Sequence, residues 1–182
     1  MPNSLVKNAL GSEYKEKLPT KTVEAPAPVQ QQELSDADRE ILEMAAKLDV
    51  CIKIIGCGGG GSNTINRCVD AGISGAQVCA INTDAKHLLT IRAPKKILIG
   101  KSTTRGMGAG ALPENGEAAA RENDSDIRQF LTGSNIVFVT AGMGGGTGTG
   151  SAHYVASIAK EQIRALTIGV VTFPFKAEGT VR

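Results

Sequence analysis

Hydrophobic positions fall in short, nearly continuous runs from residue 50 to the end of the chain, and a more polar stretch of helical character separates each from the next. The runs are VCIKIIG at 50–56, AQVCAIN at 76–82, KKILIG at 95–100, SNIVFVTAG at 134–142 and ALTIGVVTF at 165–173. Runs of this length without strict in–out alternation predict strands buried on both faces. Between them, SNTINRCVDAG predicts a helix closed by Gly72, and residues 84–90 a short helix. PENGEAAAREN and DSDIRQFLTG predict two more short helices, the first opened by Pro113, and SAHYVASIAKEQIR a longer one. Strands alternating with helices predict a three-layer αβα fold around a mainly parallel, Rossmann-like sheet.

The first part of the chain has a different pattern. Four of the seven prolines lie in the first 28 residues, and EAPAPVQQQ offers almost nothing apolar to bury. Residues 1–34 are therefore expected to be a disordered arm. At about 35–48, LSDADREILEMAAKL predicts an extra leading helix: Ser35 is a good N-cap, Asp38 has capping-box spacing, and Ile41, Leu42, Ala45 and Leu48 form an apolar stripe.

Composition narrows the function classes. A net charge of +2 gives no reason to expect nucleic-acid binding, and the basic residues between Arg92 and Arg105 read as a solvated loop face. No apolar run reaches the roughly 20 residues needed to cross a bilayer, and MPNSLVKNAL lacks the apolar core of a secretion signal. The expected location is the cytoplasm. Cys51, Cys57, Cys68 and Cys79 show no CxxC pairing and read as small buried fillers; His87 and His153 sit near no paired cysteines, so zinc is not expected.

Candidate chemistry lies in two glycine-rich segments, each after a strand and before a helix: GCGGGGSN at 56–63 and AGMGGGTGTGSA at 141–152. In an open parallel sheet both emerge at the carboxyl ends of strands, where ligands bind. Bare amides at a helix N-terminus form an anion site, and Thr147 and Thr149 can add hydroxyl donors. Two such segments facing one crevice suggest a polyphosphate; the structural alternative is that the glycines only permit tight turns or close helix packing. Two other motifs fail. GKST at Gly100 resembles the end of a P-loop, but the position that should hold the leading glycine is Lys95. Gly56, Gly58 and Gly61 fit a dinucleotide fingerprint, but the next strand ends at Asn82, with Asp84 two residues beyond, and a nicotinamide-dependent oxidoreductase leaves the second segment unexplained.

GGGTGTG at 144–150 resembles the signature of the tubulin/FtsZ superfamily. GCGGGGSN, INTD at 81–84, RGMGAG at 105–110 and TFPFKAEGTVR at 172–182 resemble the FtsZ branch in the same order, and the proline-rich arm and leading helix resemble archaeal members. The resemblance implies a GTP-binding, filament-forming cell-division GTPase, with a cell-shape protein of the same superfamily as the alternative. It places Gly59, Gly60, Gly61, Ser62 and Asn63 in the first phosphate loop, and Gly145, Gly146, Thr147, Gly148 and Thr149 in the second. Gly108, Ala109 and Gly110 fall near the γ-phosphate, and Asn82 and Asp84 beside the phosphates, with Mg²⁺ held partly through water and no direct protein ligand. Glu178 and Arg182 fall on the ribose side; as residues, Asp84 could instead cap the helix after it, and Glu178 and Arg182 could form a surface pair. His153 stands where relatives usually carry proline, and reads as exposed; Tyr154 reads as packing.

The resemblance also implies a partner, a second copy joined head to tail with the nucleotide between subunits, and a mid-cell division ring as the site of action. Guanine would be read, and hydrolysis completed by an acidic loop, from sequence downstream of Arg182, so no catalytic residue is assigned within this chain. The family's sheet has one strand more than the five read here. The chain is thus expected to be truncated or an unusually short relative, inactive alone, with ALTIGVVTF as an unpaired apolar edge.

Overall fold

The computed structural model describes residues 35–47 and 50–175, and contacts divide the chain into Met1–Met44 and Ala45–Arg182. The expected arm at 1–34, and Glu178 and Arg182, lie outside the described residues.

The leading helix α1, Asp36–Lys47, forms where the capping pattern places it. The Asp38 backbone N–H donates to Ser35 Oγ (3.2 Å) and the Ser35 N–H donates to Asp38 Oδ2 (3.2 Å), so the shorter aspartate still closes a reciprocal capping box.

In the second unit, β1 (Ile52–Cys57), β2 (Ala76–Asn82), β3 (Lys95–Leu98), β4 (Ile136–Gly142) and β5 (Leu166–Thr172) form one sheet in the order β3-β2-β1-β4-β5. Every pairing is parallel: Ile52 to Cys57 face Ala76 to Ile81 on one side and Ile136 to Ala141 on the other. The chain winds outward from β1 through β2 to β3, then returns to the other side of β1 for β4 and β5. The switch point therefore lies between β1 and β4.

Helices cover both faces, completing the three layers. α2 (Gly58–Asp70) and α3 (Ala85–Thr90) enclose one core containing Ile65, Val78, Ala80, Leu88 and Ile91. α4 (Pro113–Glu122), α5 (Asp124–Leu131) and α6 (Gly146–Ser157) enclose the other, around Ile55, Ile81, Ile127, Leu131, Val137 and Val155. Each of these larger apolar side chains contributes about 1.5–3 kcal/mol by leaving water. The one cation on an inward-facing β1 position, Lys53, is buried but satisfied: Nζ donates to the carbonyls of Phe130 (2.6 Å) and Thr132 (2.7 Å), and lies 5.4 Å from the Phe130 ring centre. The bonds tie β1 to the end of α5.

Gly72 ends α2 as the sequence predicts. With φ +71° it lets its own N–H donate to Val69 O (3.0 Å) and that of Ile73 to Cys68 O (3.1 Å), a Schellman closure. Both glycine segments differ from expectation. Sequence reading starts the helices at Ser62 and Ser151, but they start at Gly58 and Gly146, so most of the glycines are already helical. Low helix propensity is outweighed by packing that leaves no room for a side chain. The last helix also passes into a π-helical turn, Ile158–Gln162, before Arg164 reverses the chain at φ +62°. β5 lies at the sheet edge with Leu166, Val170 and Val171 exposed, the apolar edge the sequence implies.

Candidate functional site

α2 and α6 both begin at the carboxyl end of the sheet, on adjacent strands at the switch point. Cys57 is the N-cap of α2 and Gly145 that of α6, and neither helix start has a side-chain cap. First-turn amides left without a side-chain acceptor are an anion-binding surface. α3 differs: Asp84 Oδ1 accepts from the His87 N–H at 3.0 Å, so Asp84 does cap the helix after it.

Contacts bring the two helix starts together. Gly58 has φ +69°, and a Cβ there would lie 2.6 Å from Gly148 N and 3.0 Å from Gly148 Cα. A Cβ on Gly60 would lie 3.1 Å from Gly142 N and Cα. The glycines thus divide into two groups. At Gly59 and Gly145 an added Cβ would meet open space, and both are exposed. At Gly146, Gly148 and Gly150 it would strike backbone or the neighbouring helix: Leu112 N at 2.8 Å, Gly142 O at 2.8 Å and Glu117 N at 2.7 Å, respectively. Gly116 on α4 makes the reciprocal approach: a Cβ there would lie 2.9 Å from Thr147 Cα. Close helix packing therefore accounts for much of the signature, and open amides for the rest.

The side chains divide in the same way. Ser62 is fully buried and its hydroxyl lies 3.5 Å from Ile81 O, which leaves it anchoring α2 to β2. Thr147 is buried, with its hydroxyl 2.6 Å from that of Thr83. Thr149 Oγ1 accepts from the Gly144 N–H (3.0 Å), which leaves its own O–H as a donor. Asn63 is exposed on the second turn of α2. Asn82 is buried, and its Oδ1 accepts from the N–H groups of Thr83 (2.9 Å) and Asp84 (3.3 Å), which shapes the turn.

A third segment joins the crevice. Residues 105–110 hang on the β2–α3 turn: Ala85 N–H donates to Gly106 O (3.0 Å), Gly108 N–H donates to Thr83 O (3.2 Å), and Asp84 bridges Met107. Ala109 is buried and its side chain faces Gly146, while Gly108 and Gly110 are open at their Cα positions. Arg105 (φ 55°) and Ala111 (φ 61°) are left-handed without being glycine, so the segment is strained at about 1–2 kcal/mol per residue.

The GKST stretch has its own anion, supplied by the protein. Glu122 at the end of α4 accepts from the N–H groups of Ser102 (2.8 Å) and Thr103 (3.1 Å) and from Thr103 Oγ1 (2.9 Å). These donors hold its carboxyl down at about 2, against an ordinary 4.5. Of the four cysteines read as buried fillers, Cys57 and Cys79 are buried, which pushes their thiols up to about 12 and leaves them inert, whereas Cys51 and Cys68 are only half-buried.

His153 is exposed, 3.4 Å from Glu117, and Tyr154 packs under Arg121 while donating to Asp124 (2.9 Å). Sequence reasoning missed Thr83, His87, Gly116 and Glu122. Thr83 lies within INTD and was within reach; the other three gain their partners only through the fold. A cavity of about 140 Å³ opens beside Gly60, Gly142 and Thr172 at the strands' carboxyl ends. A larger one, about 680 Å³, lies at the opposite end beside Lys53 and Phe130, away from the switch point. Among the described residues no group of three His, Cys, Asp or Glu is placed to ligate a metal, and no described helix is long and apolar enough to cross a membrane.

Sheet order and the two paired, uncapped glycine helix starts define a doubly wound α/β domain of nucleotide-binding type. A profile described as Tubulin/FtsZ family, GTPase domain, matches residues 51–182, and the chain belongs to that family. It is 56% identical over 147 residues to Cell division protein FtsZ 1 of Archaeoglobus fulgidus, covering 81% of this chain and 40% of the relative. With the Pyrococcus furiosus FtsZ 1 it shares 43% over 178 residues, 98% of this chain and 46% of the relative. Among solved structures, the empty FtsZ dimer of M. jannaschii superposes with a TM-score of 0.73 at 52% identity, covering 81% of this chain and 43% of that one. CetZ1 of Haloferax volcanii, as a GDP-bound monomer, gives 0.65 at 29%, covering 72% and 44%. The chain thus spans less than half the length of these relatives.

Proposed function

We propose that this chain is the GTP-binding portion of an FtsZ-type cell-division GTPase, with residues 35–182 as the nucleotide domain and 1–34 as its arm. The carrying observation is the backbone contact of two uncapped glycine helix starts at the switch point, with the 105–110 segment closing the third side. The free first-turn amides of Gly59 and Gly60, and of Gly145 through Gly148, bind the phosphates, Gly61 packs the first loop against β4, and the Thr149 hydroxyl donates a further bond. Gly108, Ala109 and Gly110 respond to the γ-phosphate; Asn82 and Asp84 hold the turn that carries them. Asn63 lies beside the first loop, while Ser62 anchors α2 to β2 behind it. Glu178 and Arg182 serve the ribose.

Mg²⁺ would be held through the nucleotide's phosphates and water rather than by side chains of this chain, and would supply charge neutralisation. Within the chain's own residues, the chemistry is placement of charge by fixed dipoles, the main requirement of phosphoryl transfer. Subunits assemble head to tail in the cytoplasm at a mid-cell ring, and hydrolysis is completed by a neighbour's acidic loop. This chain alone turns GTP over negligibly.

Thermal unfolding with GTP, ATP or NAD tests the reading. Ligand at 100 times its dissociation constant adds about 2.7 kcal/mol, and GTP alone is expected to do so. A shift with NAD and none with GTP overturns it, while concentration-dependent turnover by the pure chain overturns the statement on activity. Sedimentation with GTP and Mg²⁺ tests assembly.

A further inference from the structure

We propose that His87 is a positioning residue that sets which end of the Asn63 amide is presented to the nucleotide. It rests on the GTP-binding reading above.

His87 stands on α3 yet touches both other walls of the site. Its Nε2 lies 3.2 Å from Asn63 Oδ1 on α2, its Nδ1 lies 3.1 Å from Asn82 Nδ2 at the end of β2, and its backbone N–H donates to Asp84. The hydrogen-bond network assigns the direction of each bond. Asn82 Oδ1 is occupied by two backbone donors, the N–H groups of Thr83 and Asp84, so the amide nitrogen of Asn82 faces the ring. That nitrogen is a donor only, and Nδ1 accepts from it. The ring proton is therefore on Nε2 and is donated to Asn63 Oδ1.

The chain of bonds starts at the β2–α3 backbone and ends at Asn63. With its oxygen held by His87, Asn63 keeps two N–H donors, which have no partner among the described residues, at the rim of the first glycine segment. Donors complement a phosphate, whereas an amide turned the other way would offer a carbonyl oxygen and repel it. His87 thereby fixes the polarity of Asn63 and ties the start of α2 to the turn that carries residues 105–110.

Side-chain geometry provides separable variants. A glutamine amide nitrogen reaches the position of the imidazole Nε2, so His87→Gln retains the donor to Asn63. An asparagine amide reaches only the position of Nδ1, so His87→Asn retains the contact with Asn82 and loses Asn63. By calorimetric titration of the 182-residue chain with GTP and Mg²⁺, His87→Asn is expected to bind about tenfold or more weakly, and His87→Gln within about threefold of the parent. Equal affinity of parent and His87→Asn, or equal loss in both variants, overturns the proposal while leaving GTP binding intact; no binding by the parent overturns the GTP reading and this inference with it. Ring ¹⁵N shifts of the nucleotide-free parent provide a check independent of binding and of variant folding. An Nε2–H tautomer is expected, and an Nδ1–H tautomer overturns the assignment.

Discussion

Gly59→Ala separates the two reasons for glycine in these segments. Gly59 lies in the first turn of α2, and an added Cβ has nothing within 4 Å. Without nucleotide the change restricts the unfolded chain and improves helix propensity, so stability should hold or rise by up to about 1 kcal/mol. With nucleotide the methyl group occupies the space from which a phosphate would approach the amides. Losing one charge-assisted bond costs about 1.5–3 kcal/mol, or about 10- to 150-fold in affinity. Gly58→Ala, one residue earlier, should do the opposite to stability. Its φ of +69° costs a side chain about 1–2 kcal/mol, and a Cβ 2.6 Å from Gly148 N adds about 1–3 kcal/mol of overpacking against backbone that cannot move aside. A loss of about 2–5 kcal/mol is expected. Urea unfolding measures both stabilities, and calorimetric titration with GTP measures affinity. Wild-type affinity in a stable Gly59→Ala protein would refute open amides as the phosphate contact; unchanged stability in Gly58→Ala would refute backbone contact between the helix starts.

Two further outcomes follow from internal bonds. Glu122 has a folded-state pKa of about 2, below its ordinary 4.5, so its contribution is present above the unfolded value and is lost as pH falls from about 4.5 towards 2. Glu122→Gln should therefore be less stable than the parent at pH 7, with the gap in denaturation midpoint closing across that window; a constant gap counts against the carboxylate's role in holding Ser102 and Thr103. Lys53→Met removes the buried ammonium and leaves the carbonyls of Phe130 and Thr132 without that donor. Urea unfolding should show a loss of about 2–4 kcal/mol, and a neutral result would mean that solvent replaces the bonds.

The five strands were readable because strands buried on both faces must be apolar throughout, and VCIKIIG and SNIVFVTAG carry that requirement locally. Ser35 with Asp38, and Gly72, likewise marked helix ends through bonds spanning only a few residues. Both glycine segments were found from the sequence, but not the division of labour within them. Gly59 and Gly150 are the same residue in similar settings, and only the fold puts open space beside one and α4 against the other.

The sequence by itself determined the run of strands and helices, the family signature and the location of backbone free of side chains, because these depend on neighbours in the chain. Tertiary structure decided that Thr147 bonds to Thr83 across 64 positions, that Glu122 fills the GKST turn, and that His87 joins Asn63 to Asn82. A hydroxyl, carboxylate or imidazole has no fixed partner until the sheet brings distant segments within about 3 Å.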